Sequence, residues 1–191
     1  APEDASTLGV IGLGIQGFHQ ALFACQQRPI KTLRILDHSS EVVSRFSERF
    51  NAFYPGINVI VCKTAEELCK ASEIVITATG SHQPVVPARG GWWKGKTVLG
   101  IGSYKPDMRE FPDPFFEDLE QVFVDTPVAL LETGDLVEPL KKGIIKKDDI
   151  FQLWDLIEGN IQLRGETRFF KSVGMAAFDL YAAMLVFESL S

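Results

Sequence analysis

The stretch Leu8–Gly17, with the sequence LGVIGLGIQG, joins a short apolar run to three glycines spaced as Gly12-x-Gly14-x-x-Gly17. An amphipathic segment follows directly, and the order strand, glycine turn, helix is the context in which this spacing binds a dinucleotide. There Gly12 permits a tight turn, Gly14 lets a pyrophosphate approach the backbone and the helix start, and Gly17 lets the helix pack against the strand. The alternative is a flexible glycine loop without a ligand.

A second predicted strand places an acidic residue where the ribose of NAD would need it. Apolar residues in Gln16–Arg28 recur at helical spacing, and Pro29 ends that helix. Thr32–Asp37, TLRILD, is then predicted to be a strand whose last residue lies 20 residues after Gly17. A carboxylate there accepts hydrogen bonds from both ribose hydroxyls of NAD and repels the 2′-phosphate of NADP. The sequence therefore favours NAD over NADP, and a helix cap is the alternative role for Asp37.

The composition is that of a globular chain with an acidic surface. Of the 191 residues, 46% are hydrophobic and 23% are charged, which is enough for one domain with a core. The net charge of −6 argues against nucleic acid or an anionic membrane surface as a partner. Three scattered cysteines and three isolated histidines match no disulfide or metal pattern, so we expect no metal and a cytoplasmic location. Asp179 and Glu188 interrupt the most apolar segment, which argues against a membrane span.

Strand and helix patterns alternate along the chain, which predicts an α/β fold, a doubly wound parallel sheet of six or more strands. Further strands are predicted at Asn58–Lys63, Glu73–Ala78, Lys96–Ile101 and Gln121–Asp125. Helices are predicted at 41–50, 64–71, 127–142, 148–158 and 175–190. We expect one domain over 1–191, with the sheet and its helices in about 1–160 and a loop and helix in about 161–191.

Polar loops follow the fourth and fifth predicted strands. In a doubly wound sheet, the ligand crevice lies outside the carboxyl ends of the strands, where the strand order reverses. The loop Thr79–His82 should therefore face the glycine turn across the cofactor, with a plain surface loop as the alternative. Gly102 belongs to the loop after the fifth strand, at the same edge.

The predicted final helix, Met175–Leu190, is apolar on most of its circumference. A helix of this kind must be buried on two sides. Packing against its own sheet is one account. Burial against a further domain or a second subunit is the other.

Five stretches together make this sequence similar to the ornithine cyclodeaminase/mu-crystallin family. They are GLGIQGFHQA (12–21), ATGSHQPVV (78–86), GIGSYKPDMREF (100–111), VDTPVALLETGDLVEPL (124–140) and FFKSVGMAAFDLYAA (169–183). The last two are the most specific, because a generic dinucleotide-binding domain has no reason to carry them. The resemblance runs from about Glu3 to the end of the chain.

The resemblance implies a Rossmann-type NAD-binding domain from a protein with two domains that is usually a homodimer. The family's first domain, which supplies dimer contacts and much of the substrate pocket, would be missing here, and the final helix would have lost its packing partner. The implied reaction is hydride transfer between C4 of the nicotinamide and the α-carbon of an amino or imino acid. The alternatives are a non-catalytic nicotinamide-dependent binding protein or sensor, and a cyclodeaminase that uses NAD catalytically. We expect the chain alone to bind cofactor without turning over substrate.

The spacing and the resemblance together assign fifteen residues to the cofactor. They are Gly12, Gly14, Ile15, Gln16, Gly17, Asp37, His38, Ser39, Thr79, Gly80, Ser81, Gly102, Ser172, Val173 and Gly174. Tyr104 stands where true ornithine cyclodeaminases carry a proposed acid/base aspartate, and Lys171 stands where they tend to have an acid. Ornithine cyclisation is therefore the less favoured reaction. Tyr104 is a candidate general acid, with a spectator role as the alternative.

Overall fold

One parallel sheet of eight strands organises the computed structural model, which describes residues 1–88 and 92–190. Its strands are β1 (Thr7–Ile11), β2 (Thr32–Leu36), β3 (Asn58–Val61), β4 (Ile74–Thr77), β5 (Thr97–Gly100), β6 (Val122–Val124), β7 (Ile150–Gln152) and β8 (Arg168–Lys171). Their order is β3-β2-β1-β4-β5-β8-β6-β7, so the direction of winding reverses between β1 and β4. The predicted doubly wound parallel sheet is confirmed.

Eight helices accompany the strands within the described part of the chain. They are α1 (Ile15–Gln27), α2 (Ser40–Phe53), α3 (Ala65–Lys70), α4 (Asp113–Glu117), α5 (Ala129–Glu132), α6 (Gly134–Lys141), α7 (Leu153–Ile157) and α8 (Ala176–Ser189). Side-chain caps fix the starts of α2, α3 and α6, the last through the Thr133 hydroxyl and the amide of Asp135. Ser39 accepts a hydrogen bond from the amide of Val42 at the start of α2, and Thr64 accepts one from the amide of Glu67 at the start of α3.

Aromatic packing fixes the segment that leads from β5 into α4. The rings of Phe111, Phe115 and Phe116 surround that of Phe169 on β8, with centroids 5.0, 5.0 and 5.7 Å away. All four side chains are buried, and edge-to-face aromatic pairs add stability beyond the apolar area that they bury. This packing on β8 also restricts the residues just before Phe111.

The prediction of one helix over 148–158 is wrong. A 3-10 turn covers Lys147–Asp149, followed by β7 and then by α7. Ile150, Leu153, Trp154 and Ile157 do follow helical spacing. However, Ile150 pairs with Val122 at the end of the sheet, so tertiary pairing overrides the local pattern.

The sheet extends beyond residue 160, where it was expected to end. Strand β8 lies between β5 and β6 and pairs in parallel with both. The division into a sheet portion and a C-terminal loop and helix therefore falls after Lys171 rather than near residue 160.

Helix α8 does not pack on its own sheet. Every residue from Ala176 to Leu190 is exposed, including Phe178, Leu180, Tyr181 and Leu185, which are 50–68% exposed. This excludes the first account of the apolar final helix. No helix in residues 1–88 or 92–190 has the length and apolar character needed to cross a bilayer.

Candidate functional site

A cleft of about 820 Å³ opens at the carboxyl edge of the sheet, where β1, β2 and β4 end. This is where the strand order reverses, and its volume is in the range of small-molecule and cofactor sites. The cleft is lined by Ile11, Gly12, Gly14, Leu36, Asp37, His38, Lys63, Ala78, Thr79, Gly80, Ser81 and Val85. Seven of these were assigned to the cofactor from the sequence: Gly12, Gly14, Asp37, His38, Thr79, Gly80 and Ser81.

The three glycines of the turn are required for three different reasons. Gly12 has a φ of +88°, and a Cβ there would lie 2.6 Å from the carbonyl oxygen of Ala78. A Cβ at Gly17 would overlap the carbonyl oxygen of Gly12, so α1 can lie this close to the turn only without a side chain there. At Gly14, in contrast, no protein atom lies within 4 Å of a Cβ, which leaves that space open to a ligand.

Helix α1 presents its amino end to the cleft. No acidic residue lies in its first turn, and Gly14 supplies no side-chain cap. The first amides of the helix, from Ile15 onward, therefore keep their hydrogen-bonding capacity and the positive end of the helix dipole. Such an end binds phosphate groups.

Asp37 follows β2 and lies beside the glycine turn, where two backbone amides hold its carboxylate. Its Oδ2 accepts a hydrogen bond from the amide of Leu13 at 2.9 Å, and its Oδ1 accepts one from the amide of Ser39 at 3.0 Å. The side chain is 9% exposed, and His38 Nδ1 lies 3.1 Å from Oδ1. Asp37 therefore ties the glycine turn to the start of α2 while it lines the cleft.

The facing wall is the segment from Thr79 to Val85, and it is attached to the segment before α4. The carbonyl oxygen of Ser81 accepts a hydrogen bond from the amide of Arg109 at 2.9 Å. The amide of Val85 donates to the carbonyl oxygen of Glu110 at 2.8 Å. Sequence reasoning did not single out Glu110, because it lies 31 residues from Thr79, which it also contacts.

Some assigned residues lie beside the cleft rather than on its walls. Ile15 is 75% exposed and lines a neighbouring cavity of about 360 Å³. Gln16 is exposed, and Gly17 is buried against the turn. The hydroxyl of Ser39 accepts the 3.4 Å bond from the amide of Val42 that caps α2.

Gly102 and the segment Ser172–Gly174 lie farther along the same edge, at the ends of β5 and β8. Asp125 organises the second of these loops. Its Oδ2 accepts hydrogen bonds from the Ser172 hydroxyl at 2.7 Å and from the amides of Val173 and Gly174 at 3.0 and 2.8 Å. Sequence reasoning placed Asp125 only at the end of a strand, and its role depends on β8, which was not predicted.

Tyr104 and Lys171 differ sharply in environment. Tyr104 is 53% exposed and does not line the cleft, and the ammonium of Lys105 lies 5.6 Å from the centre of its ring. Lys171 is fully buried, with its Nζ 3.5 Å from Oδ2 of the equally buried Asp135. Burial lowers the pKa of Lys171 and raises that of Asp135. Lys171 thus belongs to the interior and not to the surface of the site.

Comparison with known proteins places this geometry in context. The model of the Ornithine cyclodeaminase/mu-crystallin family matches residues 1–191. Delta(1)-pyrroline-2-carboxylate reductase of Bacillus thuringiensis subsp. konkukian is 33% identical over 195 residues, covering 98% of this chain and 58% of that protein. Ketimine reductase mu-crystallin of Mus musculus is 28% identical over 193 residues, covering 100% of this chain and 57% of that protein.

A solved structure shows the same architecture. That of Thermococcus litoralis Delta(1)-pyrroline-2-carboxylate reductase, in complex with NADH and L-proline, matches with a TM-score of 0.89 at 29% identity. The match covers 98% of this chain and 59% of that one. The chain therefore spans less than two thirds of the length of each relative.

Proposed function

The chain belongs to the ornithine cyclodeaminase/mu-crystallin family, and we propose that it is the NAD(H)-binding domain of an amino- or imino-acid oxidoreductase. The observation that carries the proposal is the cleft in which the glycine turn and Asp37 face the segment Thr79–Ser81. When bound, the nicotinamide would supply or accept the hydride at a carbon–nitrogen centre. The contribution of this chain is to bind and orient the cofactor.

Each part of the cleft has a proposed share of that work. Gly14 and the amino end of α1 would hold the pyrophosphate, and Asp37 would accept hydrogen bonds from the adenosine ribose. The segment Thr79–Ser81 would then border the nicotinamide half of the cofactor, on the other side of the switch point. We assign Gly102 and Ser172–Gly174 to the same half, because their loops follow at the same edge.

We propose that NADH is preferred to NADPH. If Asp37 turned away from the cleft, the partly buried amides of Leu13 and Ser39 would lose their acceptor, at a cost of up to about 1–3 kcal/mol for each. Its carboxylate therefore stays where it would repel a 2′-phosphate. Lys63 lines the same cleft and carries the positive charge that such a phosphate would need, so the preference is one of degree.

The proposed substrate class is a small cyclic α-imino acid. The Bacillus thuringiensis and Thermococcus litoralis relatives are named for the reduction of Delta(1)-pyrroline-2-carboxylate, and the Mus musculus relative is named a ketimine reductase. Groups that hold the substrate carboxylate would lie in the part of these proteins that this chain does not span. We further propose a homodimer of two-domain subunits, in which α8 packs on that other part, and a cytoplasmic location.

Turnover by the protein that the whole reading frame encodes tests the proposal. The full reading frame that contains this chain would be expressed, and its product mixed with NADH and Delta(1)-pyrroline-2-carboxylate. The expected result is NADH oxidation with formation of proline, and no turnover by the 191-residue chain alone. NADH binding without turnover would indicate a binding protein instead, and release of ammonia from ornithine would indicate a cyclodeaminase.

A further inference from the structure

Glu110 is a fully buried carboxylate that accepts five hydrogen bonds. Its Oε1 accepts from the amide of Thr79 at 2.7 Å and from the Thr79 hydroxyl at 2.9 Å. Its Oε2 accepts from the Thr77 hydroxyl at 2.9 Å and from the amides of Gly102 and Ser103 at 2.8 and 3.3 Å. Hydrogen bonds to a buried ionised acceptor are among the stronger ones in proteins.

These donors come from Thr77 at the end of β4 and from the loops that follow β4 and its neighbour β5. The loops touch each other directly, because a Cβ on Gly102 would overlap the backbone of Thr79. The backbone of Glu110 adds a third attachment, since its carbonyl oxygen accepts the amide of Val85. One residue therefore holds the wall of the cleft at both of its ends, Thr79 and Val85, and fixes the next loop against it.

Glu110 is itself fixed from below. Its amide and that of Phe111 donate to Oδ1 of the buried Asp135 at 2.8 and 3.0 Å. The aromatic cluster around Phe169 holds the following residues. These contacts fix the position of the Glu110 carboxylate. The loops that donate to it are therefore fixed against the sheet as well.

We propose that Glu110 is a positioning residue that presets the nicotinamide side of the cleft by fixing Thr79 and Gly102 at once. This rests on the proposed function, in which that wall borders the nicotinamide half of NADH. Glu110 does not line the cleft at any point. Its effect on binding therefore passes through the loops and should be confined to the half of the cofactor that they border.

The test compares two ligands on the variant Glu110→Gln. NADH spans the whole cleft, whereas ADP carries only the adenosine and the two phosphates that the glycine turn and Asp37 would hold. In the variant an NH₂ group replaces one carboxylate oxygen and faces N–H or O–H donors, so at least one charge-assisted bond is lost. We expect NADH affinity to fall about tenfold, with ADP affinity unchanged, in titration calorimetry.

Two further variants of the chain separate positioning from general stability. Thr77→Val removes one hydrogen-bond donor to Glu110 at the buried last residue of β4, and we expect the same selective loss of NADH affinity, smaller in size. Glu117→Gln makes the same chemical change on an exposed residue of α4 and should alter neither affinity. Thermal melting checks that each variant folds, and Thr77→Val decides the matter if Glu110→Gln does not fold.

The outcomes distinguish this inference from the proposed function. A selective loss of NADH affinity supports the positioning role. Equal losses for NADH and ADP, or no loss for either, overturn it and leave NAD(H) binding in place. Failure of the unsubstituted chain to bind NADH contradicts the proposed function and the positioning role together.

Discussion

The cleft and helix α8 differ in how far their side chains find partners within the chain. Around the cleft the chain satisfies its own polar groups, since Asp37 pairs with two backbone amides and Glu110 accepts five hydrogen bonds. In α8, apolar side chains point outward all round the helix and meet water. An exposed apolar helix surface of this kind marks an interaction site.

The difference indicates what this chain can do alone. A preformed cleft binds its ligand without further ordering, whereas an apolar helix needs a partner surface. We therefore expect cofactor binding to be a property of the 191-residue chain, and assembly to require more than this chain. Changes in the cleft should therefore alter cofactor binding, and changes in α8 should alter association only.

The largest effect is expected from the pair Gly17→Ala and Gly14→Ala. A methyl group at Gly17 meets the carbonyl oxygen of Gly12 and forces α1 away from the turn, so the free energy of unfolding should fall by about 2 kcal/mol or more and NADH binding should be lost. At Gly14 the methyl group meets no protein atom, and stability should stay within about 0.5 kcal/mol. NADH affinity should still fall, because the methyl group enters the space that we assign to the pyrophosphate.

Thermal melting and NADH titration of both variants check this pair, with Gly56→Ala as a control in open surroundings. Normal NADH affinity in Gly14→Ala would contradict the assignment of that space to the phosphates. Normal stability in Gly17→Ala would contradict the close contact of α1 with the turn.

The next effect concerns the choice of cofactor. Asp37→Asn removes the negative charge and leaves one carbonyl oxygen for two amide donors. NADH affinity should fall about tenfold, and the ratio of NADPH to NADH affinity should rise, because the repulsion of the 2′-phosphate is removed. Parallel titrations with the two cofactors measure this ratio. Glu41→Gln, an equal change of charge in the first turn of α2, serves as the control and should leave the ratio unaltered.

A change in α8 should affect association and not the cleft. Leu180 and Leu185 are 60% and 68% exposed, so replacing both with Lys removes apolar surface without disturbing a core. Because the partner surface that we propose for α8 lies outside this chain, the isolated chain should associate non-specifically through its uncovered apolar helix. We expect the double variant to weaken that association several-fold in analytical ultracentrifugation. NADH affinity should be unchanged, and a loss of affinity would mean that α8 contributes to the cleft.

The smallest effect is expected at the amino edge of the strands, away from both regions. Hydrogen bonds from Ser6 and Thr7 lower the pKa of Glu73. Its stabilising contribution is therefore present above the unfolded pKa of about 4.3 and is lost as the pH falls through the lower folded pKa. Because Glu73 is exposed, the contribution should stay below about 1 kcal/mol.

Unfolding experiments on Glu73→Gln measure that contribution. The difference in unfolding free energy between the variant and the unsubstituted chain should be present at neutral pH and should vanish in acid. A difference that persists unchanged in acid would show that Glu73 acts through packing rather than through its charge.

The sequence predicted the part of the site whose residues lie close together along the chain, namely the glycine turn and Asp37. The turn at Gly12 and the strand that ends at Asp37 follow from spacing within about 30 residues of chain, and the structure places both in one cleft. Strand β8 was not predicted, since its four residues begin with Arg168 and end with Lys171, and a buried Lys is not visible in a sequence. Glu110 reaches Thr79 and Thr77 across 31 and 33 residues of chain, and Asp125 reaches Ser172–Gly174 across 47 to 49 residues. Only the folded sheet reveals these contacts.

The most direct test of the central claim is a titration of the 191-residue chain with NADH and, in parallel, with NADPH, followed by quenching of tryptophan fluorescence. A cleft completed by the residues of this chain should bind both cofactors, with NADH binding more tightly because Asp37 stays in place. Tighter binding of NADPH would contradict the role of Asp37. No binding of either cofactor would contradict the claim that the chain forms this site by itself.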